Sequence, residues 1–366
     1  IIVTVIGGYD TPPAWLGGLV ILVSLCLAHV THTLVEDPLR QHRPRPRGND
    51  DPVAGARASL RTLPGVARAV GGVLAAALFT VALAVQPYWD KRVDSAEKAL
   101  DPVNYPGARA IQGAQVPDVK PQPDPSLIAG VFPPIGLNDC MIFLPEAPDA
   151  MPGPDCTYGD LEAETTIVLA GGSHIEPFIV PLDKLGKEHH FKVATFVRQE
   201  CPLVVGGPLN PANDIVSPEC AEWGENAMQE IINLQPDLLV STSTRPAGHA
   251  GDGRVSADYV PDAYANLWQR LAELGIPFVG LRDNPWMFTP TGEPMDPNLC
   301  VVAGHSEHAC SMAADMVYAP KDPAAYFLDG AYAQWEIDTA GWYCVDGLCP
   351  PQIGNVYIYR DQNHIS

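Results

Sequence analysis

"VLAGGSHIEPF", Val168 to Phe178, is an apolar run that stops at two glycines and continues into a serine and a histidine. The apolar part reads as a buried strand over Thr166–Ala170. Gly171 and Gly172 read as the turn out of it, since a residue without Cβ reaches backbone angles closed to others. A helix over Ile175–Lys187 follows. The plain reading is a glycine turn between strand and helix. The chemical reading is that the turn presents Ser173 as a nucleophile at the carboxyl end of a strand. Free N–H groups at the helix start would then receive an oxyanion.

Downstream, strand and helix patterns alternate. Strands are expected at Lys192–Val197, Asp237–Thr242 and Pro277–Leu281, and a last one at Asn355–Tyr359. Helices are expected at Ala221–Asn233, Pro261–Leu274 and near Pro323–Trp335. Such alternation implies βαβ units and an α/β fold with a doubly wound parallel sheet. Ligands of such sheets bind beyond the carboxyl ends of the strands. Ser173 follows the first strand, and "YRDQNHIS", Tyr359–Ser366, follows the last. Asp361 and His364 stand three apart in that closing turn. A histidine can take the serine proton, and an aspartate can orient the imidazole.

Lys and Arg number 22 against 43 Asp and Glu, a net charge of −21, which disfavours nucleic acid as a partner. No phosphate-binding glycine motif occurs. The chain starts at Ile1 rather than Met, which reads as a fragment. Residues 13–35 and 66–87 are apolar enough to span a bilayer; two buried core helices are the alternative. Between them the loop 36–68 carries Arg40, Arg43, Arg45, Arg47, Arg57 and Arg61, which reads as cytoplasmic. The chain then divides into membrane helices over 1–87, a Pro-rich extension over 88–163, and the α/β domain over 164–366, read as cut short at its C-terminus.

Nine cysteines occur. Cys26 lies in an apolar run. The other eight fall as near neighbours: Cys140 and Cys156, Cys201 and Cys220, Cys300 and Cys310, Cys344 and Cys349. The number of possible connectivities is large; local pairing is the simplest, because short loops close at the lowest entropic cost. Disulfides place this part in an oxidising compartment, the side of the membrane that the arginines also indicate.

"GGSH" with Cys201-Pro202, "CAEW" (Cys220–Trp223), "LRDNPW" (Leu281–Trp286), the pair Cys300 and Cys310, and "YRDQNHIS" resemble the SGNH (GDSL-like) domain fused to bacterial acyltransferase-3 membrane proteins. "LVEDPLR" before the second apolar stretch resembles the end of that membrane domain. The resemblance implies an SGNH hydrolase, flavodoxin-like fold preceded by transmembrane helices in the bacterial plasma membrane, with the SGNH domain extracytoplasmic. It implies Ser173 as nucleophile, His364 as base and Asp361 as its orienting acid. The function implied is acyl transfer, often acetyl, to a cell-envelope glycan, polysaccharide or peptidoglycan. A deacylating esterase is the alternative, and a non-catalytic glycan-binding module is a third reading that the paired motifs argue against. The acyl donor, such as acetyl-CoA, would be used by the N-terminal membrane domain, so this chain itself is expected to bind no cofactor.

The usual motif is Gly-Asp-Ser-His; here Gly172 stands where Asp is usual. Besides the Ser173 N–H, oxyanion donors are sought at Gly206 or Gly207, with Gly207 preferred, and at Ser243, Thr244 or Arg245, with Thr244 preferred. "HSEHAC" (His305–Cys310) has zinc-like spacing, but the resemblance makes Cys310 half of a disulfide and no metal is expected. Trp286 is the tryptophan expected at a sugar site; Trp223, Trp268, Trp335 and Trp342 read mainly as core. His174 reads as a structural hydrogen-bonder and Asp283 as a loop contact.

Overall fold

The computed structural model describes residues 100–206, 217–247 and 256–366, with scattered helical positions within 21–32 and 80–91. The chain divides into two compact units, Ile1–Ser95 and Ala96–Ser366. Among the described residues no helix is long and apolar enough to cross a membrane. The apolar stretches 13–35 and 66–87 lie outside the described residues except for those scattered positions, and the loop 36–68 lies wholly outside them.

The second unit is built on a seven-stranded sheet. Its strands are β1 (Met141–Ile142), β2 (Thr157–Gly159), β3 (Thr166–Gly171), β4 (Lys192–Arg198), β5 (Leu238–Thr242), β6 (Phe278–Leu281) and β7 (Gln334–Ile337). The order is β1-β4-β3-β5-β6-β7, with β2 also on β4. Every pairing is parallel except β2 with β4. The main helices are α1 (Ile179–His189), α2 (Pro218–Leu234) and α3 (Asp262–Leu274).

Side chains of β3 alternate between two cores, as the pleat requires. Val168 and Ala170 pack with Trp223 and Met228 of α2 and Leu271 of α3. Leu169 packs on the other face with Ile179 of α1 and Val193 of β4. A strand buried on both faces reads as a continuous apolar run, which is why "TIVLA" shows no polar alternation. The chain leaves β3 for β4 on one side, then crosses back to β5 on the other. That reversal opens a crevice outside the carboxyl end of β3.

Two expectations need correction. The helix sought near Pro323–Trp335 is two 3-10 turns, Pro323–Tyr326 and Ala331–Ala333, and residues from Gln334 form the outer strand β7. Gly330, Tyr332 and Ala333 all take positive φ there, which interrupts a right-handed helix. The strand sought at Asn355–Tyr359 is only Val356–Tyr357. It pairs antiparallel with Gln352–Ile353, outside the main sheet. The Pro-rich extension supplies β1 and β2, and buried Arg198 donates to the carbonyls of Glu146 and Ala147 to hold the loop after β1.

All eight cysteines of this unit pair with their near neighbours: Cys140–Cys156, Cys201–Cys220, Cys300–Cys310 and Cys344–Cys349.

Candidate active site

Gly171 ends β3 with φ 149°, and a Cβ there would lie 3.3 Å from Ser241 Oγ. The chain therefore turns sharply where a larger residue would be strained. Gly172 has ordinary φ, but a Cβ on it would sit 3.4 Å from the Cys201 backbone. The segment Cys201-Pro202, tied to α2 by the disulfide to Cys220, thus backs the turn. Ser173 follows, 8% exposed. Its backbone N–H has no acceptor among the described residues.

The second half of the site comes from the closing loop. His364 Nε2 lies 2.8 Å from Ser173 Oγ. Its Nδ1 lies 2.9 and 2.8 Å from the two Asp361 oxygens. An ionised carboxylate only accepts, so Nδ1 carries the proton and Nε2 is left to accept from the serine. Asp361 Oδ1 also accepts the backbone N–H groups of Asn363 and His364. Burial pushes the Asp361 carboxyl up, but the His364 ring N–H, with these backbone donors, outweighs it and holds it at about 2. Burial pushes the His364 ring below its usual 6.5, with Asp361 only partly opposing. The ring is thus a neutral base at neutral pH.

Side chains, not secondary structure, fix this loop. Asn284 Nδ2 donates to the Asn363 carbonyl at 2.7 Å, and Asn298 Nδ2 to the Tyr359 carbonyl at 2.7 Å. Met287 N–H donates to the Gln362 carbonyl. A third apolar cluster, including Trp286, Met312, Tyr318 and Tyr359, fills the space beneath.

A cleft of about 770 Å³ opens over these groups. Phe132, Leu137 and Phe143 of the extension line one wall, and His174, Arg245 and Trp286 another. Glu176 and Arg360 meet there at 3.4 Å, both buried. Burial pushes the Glu176 carboxyl up against the pull of Arg360.

Of the residues sought from sequence, Ser173, His364 and Asp361 are brought together. Gly207 lies outside the described residues. Thr244 is fully buried, and its hydroxyl oxygen accepts from the Asp283 N–H; Thr242 and Arg245 line the cleft, and Thr244 does not. Trp286 lines the cleft while being 6% exposed and packed in the third apolar cluster. Trp223 and Trp268 are core, whereas Trp335 and Trp342 are nearly half exposed. His305 and His308 are exposed and Cys310 is bridged to Cys300. Among the described residues no group of three or more His, Cys, Asp or Glu could hold a metal ion. His174 does act as a hydrogen-bonder, to Asp283; that Asn284, inside "LRDNPW", and Asn298 hold the loop bearing His364 is visible only in the structure.

Comparison with known proteins gives three findings. The family model for the SGNH domain (fused to AT3 domains) matches residues 140–366. No curated protein matches. A solved structure, the periplasmic domain of a lipopolysaccharide acetyltransferase from Salmonella ser. Paratyphi A, is 13% identical. It covers 56% of this chain and 79% of its own, with a TM-score of 0.35.

Proposed function

The chain belongs to the family of SGNH domains fused to AT3 domains, and from that premise we propose that it is an O-acyltransferase acting through an acyl-serine at Ser173. The observation that carries the reading is the unbroken hydrogen-bonded line from Ser173 Oγ through the His364 ring to Asp361, opening on a cleft.

In the first half-reaction Ser173 Oγ attacks the donor carbonyl and its proton passes to His364 Nε2. Asp361 stabilises the imidazolium so formed. The Ser173 N–H faces the developing oxyanion. The imidazolium then protonates the leaving group. In the second half an acceptor hydroxyl gives its proton to His364 Nε2 and attacks the acyl-serine; the ester bond to Oγ breaks, and Oγ regains the proton.

The acceptor in this reading is a hydroxyl of a cell-envelope glycan, and the acyl group, typically acetyl, arrives from the membrane domain of the same protein. Four disulfides support placement outside the cytoplasm. The apolar stretches 13–35 and 66–87 would anchor the domain to the plasma membrane. Incubation with an acetyl donor such as p-nitrophenyl acetate, followed by peptide mass spectrometry, tests the reading. An acetyl group on the Ser173 peptide, lost in Ser173→Ala, supports it; acetylation elsewhere only, or none, overturns it. Release of acetate with no transfer to any added hydroxyl acceptor would make the protein an esterase.

A further inference from the structure

A second histidine–aspartate pair stands beside the first. His174 Nδ1 lies 2.8 Å from Asp283 Oδ1. The same oxygen accepts the Asn284 N–H at 2.9 Å, and Oδ2 accepts Trp286 Nε1–H at 3.1 Å. Asp283 is 4% exposed. A carboxylate receiving N–H donors at both oxygens takes a proton donor from the imidazole as well, so Nδ1 carries the hydrogen. In the neutral ring Nε2 is then a bare acceptor.

That nitrogen has no partner among the described residues, and the ring lines the cleft. Two rings pack against it. The Trp286 ring lies 5.0 Å away, with the Arg245 guanidinium 5.6 Å from that ring's centre. The His364 ring also lies 5.0 Å away, edge to face.

Two imidazoles, their ring centres 5.0 Å apart, thus line the same cleft. The His364 nitrogen is committed to the hydroxyl that reacts. The His174 nitrogen has no task in that proton transfer. A monohydric alcohol brings no donor for it and leaves it to a water molecule that must be held in place, at a cost in entropy. A neighbouring hydroxyl on the same ring would donate to it.

We propose that His174 selects the acceptor: its Nε2 accepts a hydrogen bond from the hydroxyl vicinal to the one being acylated, so the site takes vicinal diols of sugar rings. This rests on the acyl-serine reading above. No bond is made or broken at His174; the transferred proton moves from the attacking hydroxyl to His364 and on to Ser173 Oγ.

The test uses p-nitrophenyl acetate as donor and three acceptors: vicinal cyclohexanediol, its mono-methyl ether and cyclohexanol. The wild-type protein is expected to acetylate the diol at least ten times faster than the ether or the mono-ol. Equal rates overturn the inference without any variant. His174→Asn keeps an amide to donate to Asp283 but has nothing at the Nε2 position. It should cut the preference for the diol at least ten-fold, and His174→Gln, which reaches the Nε2 position, should restore part of it. An unchanged preference in His174→Asn also overturns the inference. Acetyl on Ser173 is measured throughout: its presence alongside either result leaves the acyltransferase reading standing, and its absence from the wild type overturns both.

Discussion

Ser173 and His364 are 191 positions apart in the chain, yet their side chains meet at 2.8 Å. One sits on a turn that the central strand dictates. The other sits in a loop held by the side-chain amides of Asn284 and Asn298. Each half of the relay can therefore be broken separately.

Ser173→Ala should abolish acyl-enzyme formation while shifting stability by less than about 2 kcal/mol, since alanine fits the turn. His364→Ala should remove most turnover. Asp361→Asn should cost up to about 10⁴-fold, through the wrong tautomer and the lost countercharge. The losses should not add, so the Ser173→Ala/His364→Ala double variant should match Ser173→Ala. Turnover of p-nitrophenyl acetate by the four proteins checks this.

The pH profile follows from His364. Its folded pKa lies below the unfolded 6.5, so the native ring stays neutral at pH values where the unfolded ring takes a proton. Turnover should persist as pH falls to 6.5 and decline only below it. This ring's contribution to stability should likewise decrease as pH falls below 6.5, because the unfolded state binds the extra proton. Asp361, at about 2, stays ionised throughout. A turnover midpoint above 6.5 would contradict the burial argument.

The disulfides should differ in weight. Cys201–Cys220 closes a span of 19 residues and backs the Ser173 turn; Cys344–Cys349 closes one of 5. Longer closed loops constrain the unfolded chain more, and losing a native bridge typically costs about 2–5 kcal/mol in small secreted domains. The Cys201→Ala/Cys220→Ala variant should therefore melt lower than Cys344→Ala/Cys349→Ala. Thermal melting of both would show the order.

Arg282 forks onto Asp258 at 2.8 and 2.9 Å, with both side chains almost wholly buried. Removing one partner strands a buried charge, so Arg282→Ala should cost about 3–5 kcal/mol. Asp283 and Asn284 follow directly in sequence, so turnover should fall with it. Asp258→Ala added to Arg282→Ala should cost less than the sum of the two singles, and urea unfolding of the cycle measures the coupling.

The proposal that stretches 13–35 and 66–87 anchor the chain puts the arginine-rich loop between them in the cytoplasm, so Ser59→Cys there should resist an impermeant thiol reagent in intact cells. Labelling there would place the loop outside.

Much of the site was legible because its parts are local in sequence. The "GGSH" turn and the Asp361–His364 pair each declare themselves within a few residues, but what joins them, the Asn284 and Asn298 amides on the loop that bears His364, is not local in sequence. The strand expected to carry the closing loop was misplaced. The outer strand is "QWEI", Gln334–Ile337, hidden behind Gly330 and two residues of positive φ. Strands β1 and β2, of two and three residues, are too short for any periodicity to mark them. His174 and Asp283, 109 positions apart, meet only because β3 and β6 end on the same rim.

The distance along the chain between Ser173 and His364 also orders events in time. A polypeptide is made from its amino end, so the hydroxyl emerges long before the imidazole that activates it. Until the loop bearing His364 is seated by Asn284 and Asn298, Ser173 has the reactivity of any alcohol. A copy in which that loop is not yet seated should therefore leave activated esters untouched, whatever the state of the rest of the fold.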